Sequence, residues 1–259
     1  MLIAHAARDF DETDPAFVHA VGLAAQSGAE VATLHVTQGH TERAPDAREL
    51  LQRWDVPAAR VAQRVHETLG HDDIAEELVA ACQALQPQLI VLSTHARKGL
   101  TGMLAGSIAE AVARNSRVPN LLLPYGCTGF VDAQTGRVDL ARILVLGGSS
   151  ADAQLGLDAA GWLVRAARQP EAELTLLHVE DGEAMPVVHQ NVRIEARRGE
   201  LAATARAVAA ERDAALLVMV SRGHDQLRDV LWSSHTERVL HAVALPLLWV
   251  PANWAGFGA

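Results

Sequence analysis

Gly106-Ser107 opens an apolar helical stretch that ends near Asn115. A helix start of this kind presents free backbone N–H groups and a hydroxyl, which is the chemistry of anion and phosphate binding. Arg97 and Lys98 in the loop before it add positive charge, and Ser93 and His95 lie just upstream. The plain structural use of the same Gly-Ser pair is a helix N-cap. His5, at the end of a short apolar strand, is expected to face the same cleft as His95, giving that cleft a charge that changes around neutral pH. The chain holds twelve histidines, so a His-lined metal or small-ligand sensor is a further reading. None falls in an H-x-H or H-E-x-x-H pattern, and no metal ligand is assigned. Ser93-Thr94-His95 lacks the G-x-S-x-G elbow of a nucleophilic serine. No catalytic residue is assigned and the chain reads as a non-enzyme.

The elements that must position these residues alternate between short apolar strands and helices. Leu2 to His5 reads as a strand. Asp14-Pro15 supplies an N-cap and a proline at the first helical position of a helix that stops near Gly28. Val31 to Val36 and Val61 to His66 are strands, with a helix-like stretch from Ala47 to Trp54 between them. His71-Asp72-Asp73 opens a helix over Ile74 to Leu85, where the acidic residues suit the helix dipole. Leu89 to Ser93 is a buried strand, a loop runs from Thr94 to about Ala105, and Asn120 to Leu123 is the last strand. This β-α-β order implies a mainly parallel, doubly wound sheet with helices on both faces. In such sheets ligands bind beyond the strand carboxyl ends where the strand order reverses, here between the first strand and Leu89–Ser93.

The frame occurs twice. Residues 88–124 align without a gap on residues 215–251, at a constant offset of 127 that sets Leu89 on Leu216, Ser107 on Ser234, Glu110 on Glu237 and Pro119 on Pro246. Upstream, Val31-Ala-Thr-Leu-His-Val36 matches Leu174-Thr-Leu-Leu-His-Val179 at an offset of 143, so the second copy is 16 residues shorter between these points. The segment missing from it lies within Thr37 to Arg60. Met1-Leu-Ile-Ala is set on Ile143-Leu-Val-Leu146. Tyr125 to Val138, with Gly126, Gly129 and Gly136, reads as an exposed connection. The domains are placed at 1–125 and 139–252, the second shorter and degenerate, each expected to curl its own sheet around its own interior.

The duplicated Leu-His-Val strands, with Ser93 to Pro124 and Val220 to Pro251, resemble the universal stress protein family over nearly the whole chain. The resemblance implies a five-stranded α/β sandwich of strand order 3-2-1-4-5, of the adenine nucleotide alpha hydrolase type. It also implies ATP or AMP as the ligand, held in members that bind it by G-x2-G-x9-G-(S/T) after the fourth strand. In copy one Ser93 and Ala96 take the first two glycine positions, and Gly106-Ser107 keeps the third. In copy two Val220, Gly223 and Ser233-Ser234 stand at these places. The family's ribose-binding aspartate after the first strand is set on Ala6 and on Gly148. Carried over, the candidate nucleotide site is Val36 beside the adenine, with Ser93, His95, Gly106, Ser107 and the Ile108 amide around phosphate. The leading expectation is a non-catalytic, cytoplasmic stress-response protein with largely degraded sites, and the alternative is an ATP- or AMP-binding switch, with weak ATP hydrolysis left open and the first domain as the binding copy.

Composition bounds the partners. A net charge of −9 and scattered basic residues argue against nucleic acid. No apolar run reaches membrane-spanning length. Cys82 and Cys127, the two cysteines, have neither metal nor disulfide spacing; Cys82 is expected in the core and Cys127 free in the connection. Trp162, Trp232 and Trp249 fall at apolar positions expected in core or interface. The last strands, Asn120 to Leu123 and Leu247 to Val250, are sheet edges that need covering. In the family such edges pair between subunits, so the copies are expected to pair with each other as an intramolecular pseudo-dimer. Trp249 and Trp254 add apolar surface for a homodimer.

Overall fold

A computed structural model describes residues 1–7, 14–37, 44–69, 74–94, 108–124, 126–180, 185–189, 192–221 and 234–256. The first half forms β1 (Leu2–Ala7), α1 (Pro15–Ser27), β2 (Glu30–Thr37), α2 (Ala47–Arg53), β3 (Ala62–Leu69), α3 (Ile74–Leu85), β4 (Leu89–Thr94), α4 (Ile108–Asn115) and β5 (Asn120–Pro124). The second forms β6 (Arg142–Leu146), α5 (Ser150–Ala166), β7 (Glu173–Glu180), β8 (Arg193–Arg198), α6 (Leu201–Glu211), β9 (Leu216–Ser221), α7 (Ser234–Val243) and β10 (Leu247–Pro251). Local chemistry sets the ends of α1. The Asp14 carboxylate accepts from the Ala16 N–H at 3.2 Å and Pro15 takes the first turn. Gly28, at φ 73°, closes the helix with its N–H on the Ala24 carbonyl.

The strands make one ten-stranded sheet in the order β3-β2-β1-β4-β5-β10-β9-β6-β7-β8. The first five strands stand as 3-2-1-4-5, and the second five repeat that order from the opposite direction. Strands within each half pair in parallel, and β5 meets β10 antiparallel, with Leu121 opposite Leu248 and Asn120 opposite Trp249. Among the described residues no strand of one half enters the other, so the sheet is continuous but not interleaved. The interior departs from the sequence reading. Two apolar layers, one on each face, run through both halves. One holds Ile3, Phe17 and Leu121 with Val145, Leu157 and Leu248. The other holds Ala4, Leu78 and Leu122 with Leu144, Val208 and Trp249. A continuous sheet leaves no wall at the seam to divide them.

Strand register corrects the alignment of the opening strands. Ile3 sits beside Leu89 and Val31, while Ile143 sits beside Leu216 and Leu174. Ile3 therefore corresponds to Ile143, two residues from the match made on apolar pattern alone. Ala6 corresponds to Leu146, and Gly148 to Arg8, which lies outside the described residues. Four similar apolar residues in a row carry no marker of register.

The connection after β5 is exposed along most of its polar residues but anchored by apolar ones. Phe130, Val131, Val138 and Leu140 are buried in the same layer as α1, and Val131 bridges to Val138 in a tight antiparallel turn. The Trp54 indole donates to the Ala133 carbonyl at 3.0 Å. A Cβ on Gly22 of α1 would lie 2.6 Å from Val131 Cγ1. In an open helix Gly→Ala gains about 1 kcal/mol. Gly22→Ala is expected to reverse that sign and lower the urea midpoint, because β-branched, buried Val131 has no rotamer to retreat to.

The second half has, among its described residues between β7 and β8, no counterpart of α2. Its outer strand β8 is exposed at nearly every position. Ile194 of β8, and Met185 and Val187 before it, are large apolar side chains left exposed.

Candidate functional site

In the first half, strand order places the carboxyl ends of β1 and β4 side by side, with β2 on the other flank of β1. Parallel register sets His5 beside Val91, so Ser93, two residues on, lies on the same face of the sheet as His5. That face carries α1, whose first turn comes down on this point. The Asp14 carboxylate bridges the two side chains. The His5 Nε2–H donates to its Oδ2 at 3.1 Å, and the Ser93 hydroxyl donates to its Oδ1. A carboxylate only accepts, so the bond fixes the His5 proton on Nε2 whenever the ring is neutral. His5 Nδ1 is then buried with no partner. Its ring also lies 5.3 Å from the Phe17 ring.

Burial raises the Asp14 pKa, but the bond from His5, attraction to its charge, the Ser93 hydroxyl and the Ala16 N–H together hold it below the ordinary aspartate value. A depressed carboxylate contributes stability that is present at neutral pH and lost as pH falls through its folded pKa. Asp14→Ala removes the α1 cap and strands Ser93 and His5. It is expected to cost about 2–4 kcal/mol by urea denaturation, and Asp14→Asn, which keeps a capping oxygen, clearly less.

Three members of the sequence-derived site lie among the described residues. Val36 lies near the end of β2, beside Thr68, and Ser93 lies in β4 with its hydroxyl on Asp14. Ile108 opens α4. His95, Gly106 and Ser107 lie outside the described residues, as do Ala96, Arg97 and Lys98. His5 was expected to share the cleft with His95, and the partner described for it is Asp14. Sequence reading gave Asp14 a capping role alone. The signal for its second role was available in strand order 3-2-1-4-5, which makes the ends of β1 and β4 neighbours under the α1 cap.

The second half replaces this polar set. By register His5 corresponds to Val145, and Ser93 corresponds to Val220. The α5 cap is Ser149, whose side chain accepts from the Asp152 N–H at 3.1 Å. Gly156 of α5 lets the helix close on these valines: a Cβ there would lie 2.9 Å from Val145 and 3.6 Å from Val220. His178, the counterpart of His35, is buried and donates from Nδ1 to the Gly147 carbonyl at 3.2 Å, which ties the end of β7 to the loop after β6. Gly223 and Ser233 lie outside the described residues, and Ser234 opens α7.

Other candidate groups are structural. Cys82 is a buried residue of α3 and its pKa is pushed up to about 12 by burial, which leaves an inert thiol. Burial also raises Cys127, with a bond to Gly129 acting in the opposite sense. Trp249 is buried at the seam and Trp162 is half-buried beside the α1-side layer; Trp232 lies outside the described residues. Among the described residues no group of three His, Cys, Asp or Glu side chains is arranged to hold a metal ion. No helix among them is long and apolar enough to cross a membrane.

This architecture has relatives. The sequence profile of the Universal stress protein family matches residues 3–124 and 187–251. A universal stress protein of Mycobacterium tuberculosis strain H37Rv is 34% identical over 118 residues, which span 42% of this chain and 37% of that protein. One from Methanocaldococcus jannaschii is 26% identical over 103 residues, spanning 40% of this chain and 56% of that protein. The chain thus spans well under two thirds of the length of the curated relatives it matches. Among solved structures, a universal stress protein from Archaeoglobus fulgidus superposes with a TM-score of 0.67 over 96% of each chain at 19% identity. A putative universal stress protein from Pseudomonas aeruginosa gives 0.69 over 97% of this chain and 93% of that one, at 13% identity. At such identities the likeness is one of fold. The family profile adds the sequence, matching in both halves of a sheet that is itself duplicated, and the chain belongs to the universal stress protein family as a tandem, two-copy member.

Proposed function

We propose that this tandem protein acts in the cytoplasm as a non-catalytic component of the stress response, its two nucleotide-type crevices turned to structural use. The observation that carries this reading is the Asp14 bridge. It takes up the Ser93 hydroxyl and the His5 Nε2–H, at the point where a ligand would enter a sheet of this order. The chain of contacts also runs serine–aspartate–histidine. A nucleophile needs the histidine next to the serine with the carboxylate behind it, so this order lacks a base for Ser93. In the second crevice Val145 and Val220 offer no polar group at all.

The rival reading is an ATP or AMP switch confined to the first domain, and it is favoured by the polar set surviving there and not in the second. Calorimetry with Mg-ATP and with AMP on the full chain separates the two. The expected result is no saturable heat at millimolar nucleotide, which corresponds to less than about 4 kcal/mol of binding. Saturable binding that Ser107→Ala removes and Ser234→Ala leaves intact would establish the switch instead.

A further inference from the structure

His19 lies on α1, wholly buried, away from the crevice and facing the connection between the halves. Its Nδ1–H donates to the Pro15 carbonyl at 2.6 Å. Its Nε2 accepts two backbone N–H groups of the connector, Phe130 at 2.9 Å and Val131 at 3.2 Å. The Phe130 ring packs edge-on against the imidazole at 4.6 Å. Gly129, at φ +75°, brings the connector so close that a Cβ would lie 2.2 Å from the ring. Both ring nitrogens are therefore used, and the neutral Nδ1–H tautomer is the form that satisfies all three bonds.

We propose that His19 is an acid-released latch that holds the connector, and with it the covalent joint between the two halves, against α1 of the first domain. Protonation turns Nε2 into a donor. It then faces two N–H donors with no acceptor, and the connector must leave for the ring to be solvated. Among the described residues, the charged group acting on the ring from α1 is Asp14, which favours protonation, opposed by a larger effect of burial. Among the described residues of the connector the titratable and charged groups are Cys127, Asp132, Arg137 and Asp139; Arg137 pairs with Asp139, and Asp132 is fully exposed and engaged with Thr135 and Gln134. On the sheet beneath, β5 carries no titratable side chain, and β1 and β4 contribute His5 and Ser93, both turned to Asp14.

Burial, set against the Pro15 bond and Asp14, lowers the His19 pKa from 6.5 to about 4. The docked form thus binds fewer protons than the open form, and opening is favoured as pH falls below 6.5. From these two values the open-to-docked ratio rises about thirty-fold between pH 7.5 and pH 5.

Hydrogen exchange of the full chain, read by mass spectrometry on peptides covering 126–141 and corrected for intrinsic rates, is the test. The expected result is protection lost about thirty-fold at pH 5 while peptides of β4 and β9 keep theirs, and a flat response in His19→Gln, whose carbonyl accepts but does not titrate. NMR of the wild-type imidazole gives a second reading that survives a misfolded variant: an Nδ1–H tautomer with a titration midpoint below 5. A midpoint near 6.5 with the connector still protected, a pH response retained in His19→Gln, or strand peptides opening in step with the connector would each overturn the latch.

Discussion

Gly129→Ala is expected to destabilise the protein by about 3–5 kcal/mol, measured as a shift of the urea midpoint. Two effects add. The backbone at φ +75° lies in the left-handed region, where a Cβ costs about 1–2 kcal/mol. The new methyl would also lie 2.2 Å from His19 Cε1 and Nε2. The ring has no retreat, because it is buried and held through Nδ1 to Pro15. Relief requires the connector to lift, which leaves the buried Phe130 and Val131 N–H groups unpaired at about 1–3 kcal/mol each. Gly126, three residues earlier, separates the effects. It has φ +78° and nothing within 4 Å of its imagined Cβ, so Gly126→Ala is expected to show the backbone cost alone, about 1 kcal/mol. Equal losses at the two glycines would mean that the connector does not press on His19.

How much of this was legible in the sequence depended on whether the signal was local. Asp14-Pro15 and Gly28 marked α1 to the residue, and the acidic start with apolar periodicity placed α3 at Ile74–Leu85. Such caps act within one turn, and one turn of sequence contains them. Strand β8, Arg-Ile-Glu-Ala-Arg-Arg, left no trace because an outer strand exposed at all positions but Glu195 has no apolar alternation to display. The connector was read in part: its polar stretch is exposed as expected, and its anchoring was missed. Its glycines and polar residues read as solvent-exposed, while its four apolar anchors, Phe130, Val131, Val138 and Leu140, are too unevenly spaced to suggest burial.

A longer comparison carried a clue. The offset of 127 continues past β5, where Pro124, Gly129 and Phe130 match Pro251, Gly256 and Phe257. The structure repeats the turn: Cys127 N–H bonds the Pro124 carbonyl and Trp254 N–H bonds the Pro251 carbonyl, both at 2.9 Å. Gly129 and Gly256 share φ near +75°. The start of the connector thus belongs to the repeated unit. The Asp14 bridge stood at the limit of what sequence conveys, since it joins residues 79 apart through strand order and register. The slip in aligning β1 with β6 shows the same limit.

The seam yields the other large effect. Trp249 is buried opposite Asn120 where the two edge strands meet. Its layer contains Ala109, Val112 and Ala113 of α4 from one half with Val239 and Leu240 of α7 from the other. Trp249→Ala is expected to cost about 3–5 kcal/mol, the range for emptying an aromatic site in a packed core. The shape of the transition is the sharper readout. Because both apolar layers and the sheet cross the seam, the wild-type chain is expected to unfold in one cooperative step, with calorimetric and van't Hoff enthalpies equal. The variant should move that step to lower temperature without dividing it. Leu50→Ala, in α2 of the first half and distant in sequence from β10, is expected to lower the same single transition by about 2–5 kcal/mol. Two resolved steps, with Leu50→Ala moving one and sparing the other, would show that antiparallel pairing of β5 with β10 joins the halves in space without joining them in free energy.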